Sequence, residues 1–274
     1  MRFVHVLALL CLLTIGCAPV VTSTPAAGPT TAVVSTPAVG PTTVRIAAAA
    51  DLRPAFDVLL PAFEQASGHR TVVSYGSSGN FYQQLQNGAP HDVFFSADVD
   101  YAQRLADAGL TAGGATPYAA GRLVLWTADP GVVAYLVHPP RDPFYATQPK
   151  TLAIANPEHA PYGRAAMAAL SSPDLARLAG LKLVKGDNVA HAAQMVQSGA
   201  ADVGLIALSL ALSPAMQGGW YRAVDPTAYP PIRQAAVVLR TDRREASAAL
   251  LAYITSPEGR ALLARSGFEP PSKP

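Results

Sequence analysis

Four times in this chain an apolar run passes, through a loop of small or polar residues, into a segment whose apolar side chains recur at helical spacing. The junctions are AAAADL (47–52), SYGSSGN (74–80), NPEHAPYG (156–163) and KGDNVA (185–190). Parallel strands need crossover connections, commonly helices, so this alternation predicts mostly parallel sheets covered by helices on both faces. In open α/β sheets the loops at the carboxyl ends of the strands share one edge, where ligands bind. A helix start carries amides without intrahelical partners and about half a unit of positive charge. Four such starts aimed at one cleft would hold an anion without Arg or Lys.

The remaining elements fit the same alternation. Strands are expected at 43–50, 70–75, 91–97, 121–128, 151–155, 182–185, 202–207 and 232–240. Helices are expected after Asp51 up to Gly68, up to about Gly88, over VDYAQRLADAG, from Pro161, over 188–198, and over 242–255 and 257–265. Asp51 is a plausible N-cap, with Pro54 in the first turn where a missing N–H is tolerated. A serine such as Ser77 or Ser78 before a helix often does no more than cap it.

The amino terminus, MRFVHVLALLCLLTIGC, has one arginine, an apolar stretch from Phe3 to Ile15, and small residues before Cys17. That is a secretory-signal layout (1–16), too short for a membrane span of about 20 apolar residues. TIGC resembles a bacterial lipobox, with Thr14 where leucine is common, so Cys17 is the expected lipidation site. The alternative is an ordinary signal with an incidental cysteine, although no AxA-like cleavage site stands nearby. Cys11 is the one other cysteine; the mature domain therefore has no disulfide to form and no cysteine metal chemistry.

Residues 17–43 read as a tether. From 18 to 43 they are only Pro, Thr, Ala, Val, Ser and Gly, with STPAAGPTTAVV repeated as STPAVGPTTVRI. Proline-rich chain of this length reaches up to roughly 80 Å. The 44–274 body is large enough for one domain or two small lobes. Half of the residues are apolar and 14% are charged, with a formal net charge of +2. That suits a well-buried α/β core and gives no basic run for nucleic acid.

The segments AAAADL, GSSG before a helix, QNGAPHDVFFSAD, GRLVLW, NPEHAPYG, DNVAHAAQMVQSGAADVGLIA and TSPEGRALLARSGF, in this order, resemble the molybdate-binding proteins that serve ABC importers. The resemblance spans 44 to 268. It implies a two-lobed, type II periplasmic-binding-protein-like α/β fold with the ligand cleft between lobes. Lobe I would comprise 44–125 plus 229–274 and lobe II 126–228, the chain crossing near Trp126 and returning near Tyr229. The implied ligand is molybdate or tungstate, so molybdenum enters only as a bound oxyanion, and no cofactor is expected. The implied partners are a permease and an ATPase, and the implied state is an extracytoplasmic, lipid-anchored monomer.

Carried over by position, the resemblance places the ligand against the Ala50/Asp51 turn, Ser77 and Ser78, Tyr162, and Asn188/Val189. Ser78 would bond the anion by amide and hydroxyl, with Gly79 keeping the approach clear. Two positions depart from the family: Asp51 stands where a serine often contacts the oxyanion, and Ala207 where a tyrosine often does. A carboxylate beside a dianion would be repelled by several kcal/mol at an effective dielectric near 20. Asp51 is therefore expected to turn away, capping its own helix or meeting Arg53, with Tyr162 supplying the missing phenol.

Other readings remain open from the residues. Sulfate, phosphate or a small organic anion would suit the same fold, because selectivity rests on cavity size and on acceptors for protonated ligand oxygens. An Asp51 that points inward would accept such a proton. A serine hydrolase is disfavoured, since GSSG is not the GxSxG elbow and the histidines at 69, 91, 138, 159 and 191 form no paired set. Each is expected on a loop or a helix surface. No GxxxxGK[ST] loop is present, so ATP falls to another subunit. A purely structural surface lipoprotein would have no need of four convergent helix starts.

Overall fold

The computed structural model describes residues 40–137 and 147–271. The expected signal, Cys17 and most of the tether lie outside them, as does His138. Among the described residues the strands are β1 (Thr43–Ala49), β2 (Arg70–Gly76), β3 (Val93–Ser96), β4 (Thr116–Gly121), β5 (Leu123–Thr127), β6 (Thr151–Ala155), β7 (Lys182–Gly186), β8 (Val203–Ala207), β9 (Trp220–Ala223) and β10 (Ile232–Val238). The helices are α1 (Arg53–Ser67), α2 (Ser78–Gln86), α3 (Val99–Asp107), α4 (Pro130–Val137), α5 (Pro161–Ala169), α6 (Val189–Gln197), α7 (Leu208–Ala211), α8 (Arg244–Thr255) and α9 (Pro257–Arg265).

The strands form two sheets of five, ordered β2-β1-β3-β10-β4 and β7-β6-β8-β5-β9. Each is mixed, where mostly parallel pairing was expected. β1 pairs parallel with β2 and β3, and β6 with β7 and β8. The antiparallel strands are β10, between β3 and β4, and β5, between β8 and β9. β5 and β10 are the strands that follow a change of sheet. Each enters from the other sheet's side and so runs against its neighbours.

The first change of sheet lies at Arg122, between β4 and β5, rather than near Trp126, which sits inside β5. The return runs from β9 to β10 and includes Tyr229. The two crossings are tied together, because the Leu123 amide donates to the Tyr229 hydroxyl at 3.1 Å.

Both sheets are covered on both faces. Adjacent Phe94 and Phe95 of β3 point to opposite sides, as strand periodicity requires. Phe95 packs with Phe56, Leu59 and Phe63 of α1, and Phe94 with Phe81 of α2 and Leu105 of α3. Around the second sheet Leu152, Ile154, Leu205 and Ile206 pack under Ala166 of α5 and Ala193 and Val196 of α6. The alanine-rich faces of α5 and α6 let these helices lie close to the sheet and so hold their first turns at its edge.

Candidate functional site

All seven residues named for the site from the sequence line one small cavity between the lobes: Ala50, Asp51, Ser77, Ser78, Tyr162, Asn188 and Val189. The space open to the centre of a water molecule is about 10 Å3, roughly the room of one water. The four strand-to-helix junctions, two from each sheet, supply the wall together with Ala97 after β3, and no Lys or Arg is among the lining residues.

Each junction is built differently. Ser77 is the N-cap of α2, its Oγ accepting from the Asn80 amide at 3.4 Å. Asn188 caps α6, its Oδ1 accepting from the amides of Ala190 and His191 at 3.0 Å each. The helix α5 has Ala160 at its cap, no side-chain cap bond, and Pro161 in its first turn. The turn Ala50–Leu52 is a short 3-10 segment leading into α1, also without a side-chain cap. The amides of Ser78 and Val189 open their helices and have no intrahelical partner.

Ser78 is fully buried and its Oγ accepts from the Ala97 amide at 2.9 Å. Gly79 answers a steric demand from the other lobe. Its amide donates to the His159 carbonyl at 2.9 Å, and a Cβ there would lie 2.6 Å from that oxygen.

Asp51 departs from expectation. It neither caps its own helix nor meets Arg53, which lies over the Tyr75 ring instead. Its side chain is fully buried, and Oδ2 accepts from Tyr162 Oη at 3.0 Å and from Gln234 Nε2 at 2.6 Å. Gln234 is held in turn by Tyr118, whose hydroxyl donates to its Oε1 at 2.6 Å. The backbone oxygen of Asp51 accepts from Ser209 Oγ of α7 at 2.8 Å. Oδ1 has no partner in hydrogen-bond geometry. Burial pushes this carboxyl up to about 6, against the downward pull of Gln234 and Tyr162 and of the neighbouring Asp51 and Leu52 amides. The Tyr162 hydroxyl, expected to face the anion, is occupied by Asp51; burial and that carboxylate push it well above the usual phenol range.

Asp92 makes a contrast. It is also closed to solvent but lies nearer the surface, and Arg45 bonds both its oxygens, Nε to Oδ2 at 3.1 Å and a guanidinium nitrogen to Oδ1 at 2.9 Å. Thr241 adds a bond at 2.6 Å. Burial again opposes ionisation, yet these donors and the nearby charge hold Asp92 below the usual carboxylate value. Asp51 lies deeper and has neutral partners only, so desolvation prevails.

His159, expected as a loop or surface residue, is on a loop but belongs to the site. Its Nδ1 lies 2.8 Å from Ser77 Oγ and its Nε2 3.1 Å from Asn156 Nδ2. The signal available in the sequence was its place inside NPEHAPYG, two residues before Pro161. Ala207 is buried at the end of β8 and does not line the cavity. A further link crosses the lobes beside the cavity, where Arg164 of α5 pairs with Asp98 and donates to Tyr101 Oη at 3.3 Å.

Residues 44–269 match the family described as bacterial extracellular solute-binding protein. The chain is 37% identical over 232 residues to the molybdate-binding protein ModA of Azotobacter vinelandii, covering 82% of this chain and 89% of that protein. It is 34% identical over 208 residues to ModA of Rhodobacter capsulatus, covering 75% and 80%. The solved structure of the Azotobacter vinelandii periplasmic molybdate-binding protein superposes with a TM-score of 0.74 at 31% identity, covering 84% of this chain and all of that one. The chain belongs to the bacterial extracellular solute-binding proteins and, within them, to the family of the molybdate-binding proteins.

Proposed function

We propose that this protein captures a tetrahedral oxyanion, molybdate or its congener tungstate, between its lobes and hands it to the permease and ATPase of an ABC importer. The observation that carries the reading is the meeting of four strand-to-helix turns, two from each sheet, on one cavity with no cationic side chain in its wall. Helix-start amides and the hydroxyls of Ser77 and Ser78 supply donors for such an anion. A tetrahedral oxyanion is larger than one water, so capture requires the lobes to stand slightly further apart than they do here. The protein acts by binding, without chemistry on its ligand. Export by residues 1–16, a lipid on Cys17 and a tether ending where β1 begins would keep the domain, a monomer, outside the cytoplasm and within reach of the membrane. Among the described residues no helix is long and apolar enough to cross a membrane, which fits that arrangement.

A second reading, an anion that carries a hydrogen, such as hydrogenphosphate, is favoured by Asp51 Oδ1. This oxygen is buried and unpartnered and would accept that hydrogen. Thermal unfolding of the full chain against a panel of oxyanions separates the two. Ligand at 100 times its dissociation constant stabilises by about 2.7 kcal/mol, a rise of roughly 5 to 10 °C at this size. Molybdate and tungstate raising the midpoint while sulfate and phosphate leave it unchanged is the expected result. A rise with phosphate alone would replace the first reading by the second.

A further inference from the structure

The hydrogen bonds around His159 fix which atom carries each proton. Asn156 Oδ1 accepts from the Glu158 amide at 3.2 Å, so the side of Asn156 turned to His159 is its amide nitrogen, 3.1 Å from Nε2. An amide N–H donates, so Nε2 accepts, and a neutral imidazole then carries its hydrogen on Nδ1. That hydrogen is donated to Ser77 Oγ at 2.8 Å. Ser77 Oγ also accepts from the Asn80 amide at 3.4 Å. A hydroxyl has two lone pairs and one hydrogen. With both lone pairs engaged, the hydrogen of Ser77 is left for the cavity that the residue lines.

We infer that His159 is a positioning residue. Reaching from the second lobe, it locks Ser77 of the first lobe as a hydrogen-bond donor to the bound oxyanion, so that the direction of this donor is fixed only as the lobes meet. The inference rests on the oxyanion reading above and adds to it a residue that does not line the cavity. It also accounts for a geometry that superficially resembles a nucleophile and its base. In this tautomer His159 gives a hydrogen to the serine and takes none from it, the reverse of what activation of a nucleophile requires. Ser78, which accepts from the Ala97 amide, also keeps its hydrogen free, so the two hydroxyls offer the anion donors of the same sense.

The test is calorimetric titration of molybdate into the full chain and four variants. Asn carries an amide N–H at the same number of bonds from the backbone as Nδ1, so His159→Asn is expected to bind within about threefold of the unmodified protein. His159→Leu has similar bulk and no donor. It is expected to weaken binding by about tenfold or more, the range for a hydrogen bond to a charged group. Ser77→Ala is expected to weaken binding comparably. In the double variant, adding His159→Leu to Ser77→Ala is expected to cost less than about threefold more, because a residue acting only through Ser77 has nothing left to act on.

Ligand-free melting midpoints identify any variant that fails to fold, and the Asn and Ser77→Ala proteins still decide the matter if His159→Leu does. Binding by His159→Leu equal to the unmodified protein would overturn the inference. So would equal losses in the Leu and Asn variants, or fully additive losses in the double variant. If the unmodified protein binds no molybdate, the oxyanion reading itself fails, and the two failures are thereby distinguished.

Discussion

Tyr162, in the first turn of a second-lobe helix, donates its hydroxyl hydrogen to Asp51 of the first lobe at 3.0 Å, and the other partner of that oxygen, Gln234, is neutral. The bond joins the lobes through a buried carboxyl that holds its proton more tightly than an ordinary one. The same contact that draws the lobes together therefore sets an electrostatic cost, which an incoming dianion would increase.

The cost is readable as pH dependence. The folded value of Asp51 is raised to about 6 from an ordinary 3.8. The unfolded chain therefore holds the proton less tightly than the folded one. Stability linked to Asp51 is fully present below about pH 4 and is lost as pH rises through 6. A rise of about two units corresponds to roughly 3 kcal/mol. Asp51→Asn keeps an acceptor for Tyr162 and Gln234 without the charge. Its melting midpoint is expected to exceed that of the unmodified protein by several degrees at pH 8, with the difference closing by pH 4. Molybdate binding at pH 8 is expected to be equal or tighter. Parallel melting curves across that range would refute the assignment.

How far the site was legible in the sequence follows from where its determinants lie. The four junctions are local patterns, a strand period giving way to a helix period through small residues, and local patterns can be read from a sequence. The partners of Asp51 are not local, since Tyr162, Gln234 and Ser209 lie 111, 183 and 158 residues away. Charge repulsion argues for an outward carboxylate, and the neutral partners that hold this one inward lie too far along the chain to be read from it. β4 is not legible in the sequence, because TPYAAG has little apolar alternation and a proline. It is a strand because β10 pairs with it on one side and Glu269 bridges to Ala120 on the other. β9, four residues long with alternate residues exposed, is defined by its pairing with β5.

Ser78 separates stability from binding. Its fully buried Oγ is the acceptor for the Ala97 amide. Ser78→Ala leaves that amide unsatisfied and is expected to cost about 1 to 3 kcal/mol, visible in denaturant unfolding. Ser78→Asp places a negative charge at the start of α2 within the cavity wall and is expected to abolish oxyanion binding in calorimetry. Unchanged binding by the Asp variant would remove this loop from the site.

Gly121 ends β4 immediately before the change of sheet, and the space beside it belongs to the Asp51 network. A Cβ there would lie 2.1 Å from Tyr162 Oη and 2.9 Å from Gln234 Nε2. Gly121→Ala is therefore expected to displace the Tyr162 hydroxyl and lower the melting midpoint. Tyr162→Phe in the same chain removes the most crowded atom but keeps Cζ, 2.9 Å from the new Cβ, so the loss in the double variant is expected to be smaller than the sum of the two single losses. Additive losses would show that the crowding is relieved elsewhere.

The ion pair between Arg164 and Asp98 also spans the lobes, but it lies nearer solvent, with side-chain exposures of 40% and 22%. Exposed pairs contribute about 0 to 1 kcal/mol and weaken as salt shortens the Debye length to about 3 Å at 1 M. Arg164→Met, which keeps much of the aliphatic stem, is therefore expected to move the melting midpoint by no more than about 4 °C. Its larger effect should fall on lobe closure, because the two partners separate whenever the cleft opens. The off-rate for molybdate is expected to rise about two- to fivefold, within the range of an exposed pair, with little change in the on-rate. Raising salt to about 1 M should bring the off-rate of the unmodified protein up to that of the variant and leave the variant unaffected. An off-rate in the variant that still responds to salt would assign the screening to other charges and leave Arg164 as a support for Tyr101 alone.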